Sequence, residues 1–330
     1  MRLCNPIKLL AAVLAIVFFV WPSAAHAQTY PSRPVTMVVP FAAGGAFDVM
    51  GRILAVRMSE LLGQQVVVEN TTGAGGIVGT MRVMNAAPDG TTFLFGSVGT
   101  HAYNPTMYKN IRYNAATDFA PVTLFADQPM TLSARKDFPA NTMQEFAAYL
   151  KANAAKLQYG SAGAGSTTHL ACSLVNSTIG VNITHVPYRG SAPASNDLIG
   201  GQIDYMCNNI GSAVPLIRGG KVKAIANLSG TRSTLMPELA TAQEQGLKDF
   251  EISTWNAMFL PKGTPDAIVR KLAEVTNAAM DTPAIKQRMQ DIGVDGVAPE
   301  RRSPQYLAKF VVDEIARWAG PIKAAGLQVE

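Results

Sequence analysis

The chain has 330 residues, 48% hydrophobic and 15% charged, with a formal net charge of +5. Its Lys and Arg residues are scattered, which excludes the basic patch of a nucleic-acid-binding protein. No apolar run reaches the ~20 residues of a membrane-spanning helix, and the length suits a globular chain of two lobes.

The first 27 residues read as a cleavable secretory leader. Arg2 and Lys8 form a basic start, Leu9 to Val20 is an unbroken apolar run, and Trp21-Pro22 ends it. Ala25-His26-Ala27 then supplies small residues at the −3 and −1 positions of a cleavage site. The run is too short for a membrane anchor, and Cys4 lies before it rather than at the cleavage site. Loss of Arg2 and Lys8 lowers the net charge from +5 to +3. An exported chain meets an oxidising compartment, so Cys172 and Cys207 read first as a disulfide, with two buried thiols as the alternative. No His/Cys grouping has zinc spacing.

The remaining chain alternates short β-rich runs with amphipathic helices. Strands are expected at 35–39, 65–69 and 92–95, with helices over 48–62 and 77–86. A second series has strands at 130–134, 157–159, 183–186, 203–206 and 222–226, with helices over 142–154 and from about Thr168. A strand over 253–260 and helices over 265–280 and 304–325 close the chain. Strand–loop–helix units of this kind build α/β lobes with parallel sheets. With no low-complexity linker, the lobes are expected to be joined by crossing strands: residues 28–128 and 229–330 form one lobe, and 129–228 the other.

Ligands of open α/β sheets bind outside the carboxyl ends of the strands. Five loops qualify: 40–48, 71–76, 96–104, 160–169 and 187–193. They are rich in Gly, Ser and Thr and poor in acids. Their N–H groups and helix starts suit an anion without needing an arginine.

At these loops the sequence resembles the Bug family of periplasmic solute-binding proteins, which serve tripartite tricarboxylate transporters. The residues that carry the resemblance are Tyr30-Pro31-Ser32-Arg33-Pro34 and Val39-Pro40-Phe41-Ala42-Ala43-Gly44-Gly45-Ala46-Phe47-Asp48, then Val68-Glu69-Asn70 with Gly73-Ala74-Gly75-Gly76. Later come Tyr159-Gly160-Ser161 with Gly165-Ser166, His185-Val186-Pro187-Tyr188-Arg189-Gly190, and Leu260-Pro261-Lys262-Gly263-Thr264-Pro265. The ordered series spans nearly the whole chain after the leader. Many family members have a proline before the loop glycines where this chain has Ala42-Ala43.

The resemblance implies a two-lobed type II periplasmic-binding-protein fold with a ligand cleft between the lobes, no catalysis and no cofactor. It implies a small carboxylate as ligand, transporter membrane subunits as partner, a periplasmic location and a monomer. It places Phe41, Ala43, Gly44, Asp48, Ser97, Thr100 and His101 at the cleft from the first lobe. From the second it places Ser161, Gly165, Ser166, Thr167, Tyr188, Arg189 and Asp204.

Plainer roles stand beside these. Asp48 precedes an apolar-periodic helix and could simply cap it. Arg189 could pair with a distal ligand carboxylate or pack on Tyr188. His101, His169 and His185 read as structural. Gly73 to Gly79 mimics a dinucleotide fingerprint, but the acid some 20 residues on, Asp89, falls in a Pro-Asp-Gly turn rather than at a strand end. No G-x-S-x-G elbow is present, and Ser166 three residues before His169 is more simply a helix cap than a catalytic dyad. The remaining alternatives are a periplasmic ligand sensor and, against the run of the motifs, an exported hydrolase.

Overall fold

A computed structural model describes residues 30–329; the expected leader lies outside the described residues. Val35–Val39 is almost wholly buried and apolar, as a central parallel strand requires. This strand, β1, pairs in parallel with β2 (Val66–Asn70) and β3 (Thr92–Ser97). Next comes β4 (Phe119–Arg135), 17 residues long, which belongs to two sheets. From Met130 onward it joins a sheet built from β5 (Gln158–Ser161), β6 (Thr184–Pro187), β7 (Tyr205–Asn209) and β8 (Val222–Asn227). Before Met130 it pairs with β9 (Ser253–Pro261) and the short β10 (Asp295–Gly296). The strand order is β2-β1-β3-β9-β4-β7-β5-β6, with β8 and β10 also paired to β4.

The sequence pattern reveals only the second half of β4. The stretch before Met130 contains Pro121 and Pro129, which read as breakers. The register shifts between Pro121 and Thr123 and again between Leu124 and Ala126, and these irregularities let the strand continue. The crossing back is also later than expected. Leu228 N–H donates to Met130 O (2.7 Å), but Ala242 N–H donates to Asn227 O (2.7 Å), and Gln245 bonds Ile225 O (2.9 Å) and accepts Met143 N–H (2.8 Å). The chain therefore stays with the second sheet until Ser253 enters β9.

Helices Ala46–Leu62, Ile77–Met84, Asp266–Asp281 and Pro304–Ala324 pack on the first sheet. The last is held by buried Glu314, which accepts the indole N–H groups of Trp255 (2.9 Å) and Trp318 (3.1 Å). Helices Met143–Asn153, Thr167–Ile179, Ser191–Ile199 and Ile210–Arg218 pack on the second sheet. The boundaries agree with the sequence reading to within one to three residues, but Ser191–Ile199, Ile210–Arg218 and Pro283–Asp291 have no counterpart in it.

Cys172 and Cys207 are bridged, with Cα atoms 5.4 Å apart. The bridge fastens helix Thr167–Ile179 to β7, and both elements lead into the cleft described below. A loop of this length constrains the unfolded chain by about 3–4 kcal/mol. Reduction, or replacement of both cysteines by serine, is expected to lower the urea-unfolding free energy by about that amount. An unchanged midpoint in reductant would contradict this.

Candidate functional site

The C-terminal ends of the strands in the two sheets face each other, and their loops touch. Ala42 N–H donates to Arg189 O across the cleft (3.1 Å), and the Tyr108 hydroxyl donates to Ala164 O (2.6 Å). Glycines make the approach possible. A Cβ at Gly190 would lie 2.7 Å from the Ala42 Cβ, and one at Gly45 would lie 2.8 Å from the Ser191 hydroxyl. At Gly75 a Cβ would overlap Ala164 O.

The first loop is shaped by Asp48, which is 4% exposed. Helix Ala46–Leu62 starts before Asp48, with Gly45 as its N-cap residue, so Asp48 is not the cap. Its carboxylate instead reaches back to accept Gly44 N–H (2.9 Å). It also accepts Arg52 Nε–H (3.0 Å) and Asn70 Nδ2–H (3.0 Å), and Asn70 donates to Phe41 O (3.0 Å) as well. Burial opposes ionisation of Asp48, but the hydrogen bonds from Arg52, Gly44 and Asn70 outweigh it and hold its carboxyl below the usual range. Its contribution is complete above the ordinary carboxylate pKa and is lost as pH falls through the depressed value. Asp48→Ala is expected to cost about 1–3 kcal/mol at pH 7, and the gap from the parent protein should narrow in acid. Urea titrations at pH 7 and 3.5 check both; a gap that is constant with pH would contradict the assignment.

The second-lobe loop rests on a ladder of rings. His169 and His185 stack 4.0 Å apart, and Tyr159 lies 4.9 Å from His185 and 6.3 Å from His169. The Ser161 hydroxyl bonds His185 Nε2 (2.6 Å) and accepts Gly163 N–H (3.1 Å), while Gly165 N–H donates to His169 Nδ1 (3.2 Å). The Ser166 hydroxyl accepts the backbone N–H of His169 (3.3 Å), so the serine caps its helix and forms no dyad with the imidazole. Burial pushes His169 down to about 3, with His185 adding to the effect, and pushes His185 itself down to about 4. His101, stacked on Phe259 at 3.7 Å in the first-lobe core, is also pushed down to about 3 by burial. The unfolded chain takes up these protons near pH 6.5, whereas the folded chain resists them until about pH 4. Stability is therefore complete above pH 6.5 and should fall toward pH 4 with a slope approaching three protons, about 4 kcal/mol per pH unit. Urea midpoints measured from pH 7.5 to 4.5 test this, and a flat profile would contradict it.

Beside the first loop, a cavity of about 360 Å³ opens between the lobes, within the roughly 300–1,000 Å³ range of small-molecule sites. Three helices begin at its wall: Ala46–Leu62 at Ala46, Ser191–Ile199 at Ser191, and Ile210–Arg218 at Gly211 and Ser212. None of the three has a side-chain cap, whereas Thr142, Ser166 and Ser303 cap helices elsewhere. The first-turn residues of all three helices thus border one space, and a helix start favours a nearby anion by about 0.3–1 kcal/mol. Gln128 of β4 lines the same cavity. It accepts Asn209 Nδ2–H (2.6 Å) and donates to Asn256 Oδ1 (2.9 Å), tying both sheets together at the cavity wall. No lining residue carries a charge.

Of the residues expected at the cleft, Gly44 lines the cavity. Phe41, Ser97, Thr100, Ser161, Gly165, Ser166 and Thr167 belong to the contacting loops, and Ala43 lies exposed beside Gly44. Four expectations are corrected. His101 is buried against Phe119 and Phe259, away from the cleft. The Tyr188 hydroxyl turns to Asp197 (2.6 Å) within its own lobe. Arg189 has an exposed side chain and meets the first lobe through its carbonyl. Asp204 lies at the far end of β7, bonded to Arg135 Nε (3.0 Å) and Gln158 N–H (2.8 Å). The residues at the cleft end of that strand are Asn208 and Asn209. Gln128, Ser191, Asn209 and Asn256 were missed. One signal was readable: Pro193 sits in the first turn of helix Ser191–Ile199, where its missing N–H costs nothing.

Two α/β lobes joined by a shared strand, with a cavity at the facing helix starts, define a periplasmic-binding-protein architecture. The profile of the tripartite tricarboxylate transporter family receptor matches residues 50–327, and the chain belongs to that family. Periplasmic binding protein BugD superimposes with a TM-score of 0.88 at 42% identity, covering 91% of this chain and 100% of that one. MatC from Rhodopseudomonas palustris, solved with bound malate, gives 0.87 at 40% identity over 89% of this chain and 100% of its own. Rpa4515 of R. palustris, solved with adipate, gives 0.85 at 35% identity over 90% and 98%. The resemblance to the Bug proteins, and with it the two-lobed fold, is thereby shown.

Proposed function

We propose that this chain captures a small carboxylate between its lobes in the periplasm and delivers it to the membrane subunits of a tripartite tricarboxylate transporter. The observation that carries the reading is the convergence of three uncapped helix starts on one interlobe cavity. The carboxylates bound by MatC and Rpa4515 support it. The leader, removed after Ala27, would export a monomeric 303-residue chain. The lobes, with residues 229–252 counted in the second on the strength of their hydrogen bonds to it, would pivot where β4 passes from one sheet to the other. The touching loops are those of a closed form. Ligand favours this form only through contacts that improve on closure, such as those made by Gly44 from one lobe and Ser191 from the other.

Two outcomes test this. With protein freed of ligand by unfolding and refolding, a carboxylate at 100 times its Kd should add about 2.7 kcal/mol of stability, and amines and sugars should add none. A screen in which no carboxylate raises the melting temperature counts against the reading. Gly190→Ala introduces a methyl that meets Ala42 only when the lobes are together. It should therefore weaken binding at least tenfold while leaving the melting temperature of the free protein nearly unchanged. Equal affinity in calorimetry would exclude closure of this kind.

A further inference from the structure

The cavity wall combines helix starts with large apolar side chains. Ser191, Ala46 and Gly211 mark the helix starts. Ile199 lies eight residues further along one of these helices, about 12 Å at 1.5 Å per residue, and Pro215 and Leu216 line the wall about a turn beyond Gly211. The first lobe contributes Val49, Ile292 and Val294. Val49 and Ile199 are 38% and 41% exposed, two large apolar side chains on opposite lobes that a ligand body could cover.

No cation lines this region, and the Gln128 amide is already engaged at both its oxygen and its nitrogen. A second carboxylate near Ile199 would find only the uncharged side chains of Ser195 and Asn196, with no cation to offset its lost water. We infer that the ligand is an acid with one carboxylate at the helix starts and an alkyl or aryl body against Val49, Ile199 and Leu216, rather than a compact hydroxy-dicarboxylate. The inference rests on the carboxylate-binding reading and narrows it to an amphipathic monoacid.

Calorimetry of the ligand-free, leaderless chain at pH 7.5 tests it with propanoate, butanoate, pentanoate, hexanoate, benzoate, succinate and malate. Kd should fall about fourfold with each added methylene, and hexanoate and benzoate should bind more tightly than malate. Ile199→Asn and Val49→Asn, both at exposed positions, should cut the gain per methylene below twofold without changing the melting temperature of the free protein. A flat series in the parent protein, or malate outranking hexanoate, would overturn the inference and leave the carboxylate reading intact. If no acid binds, whether short or long, both fail.

Discussion

The molecule depends on one strand serving two sheets. β4 runs unbroken from a pairing with β9 into a pairing with β7 and β8, so the lobes are joined through continuous backbone. Where it changes partners, Gln128 binds Asn209 from one sheet and Asn256 from the other. Buried amides of this kind are costly to leave unpaired, and this cost sets the relative placement of the sheets at the pivot. Everything in the cleft follows from that placement: the loops that meet, the helix starts that converge and the cavity between them.

The candidate site is lined by backbone and uncharged side chains rather than by charged ones. The ionisable groups nearest the loops are occupied in building them. Asp48 shapes the first loop, and His169 and His185 brace the second. The cavity wall offers helix starts and uncharged polar groups, with an apolar wall further along. On the proposed reading, such a surface would suit one anionic group without fixing a counter-ion, and would leave selection of the rest of the ligand to shape and apolar contact. It also predicts binding that depends little on pH while the ligand remains ionised. Folding stability should behave differently, because the buried imidazoles make it fall in mild acid.

Much of the fold was legible because parallel strands buried on both faces are apolar runs with glycine-rich exits. Val35–Val39 and its loop are the clearest case. The first half of β4 was not legible, because Pro121 sits beside a register shift that exists only once β9 is alongside, and Pro129 stands where the strand changes partners. The site was legible as a set of loops but not as a set of side chains. Asp204 and Asn209 bracket the same short strand, and only the strand's direction and length tell which end meets the cleft. His101 lies in a loop motif, yet the π-helical turn over residues 99–103 carries its ring inward to Phe259. The cavity itself involves helix Ile210–Arg218, whose Pro215 disguises it in sequence.

The central claim is that ligand holds the two lobes together in the arrangement seen here. Small-angle scattering of the ligand-free protein, titrated with the tightest-binding carboxylate, tests it most directly. The account predicts that the radius of gyration falls on saturation to the value of the structure with its loops in contact. A protein that binds the acid by calorimetry yet keeps the same radius throughout would contradict it.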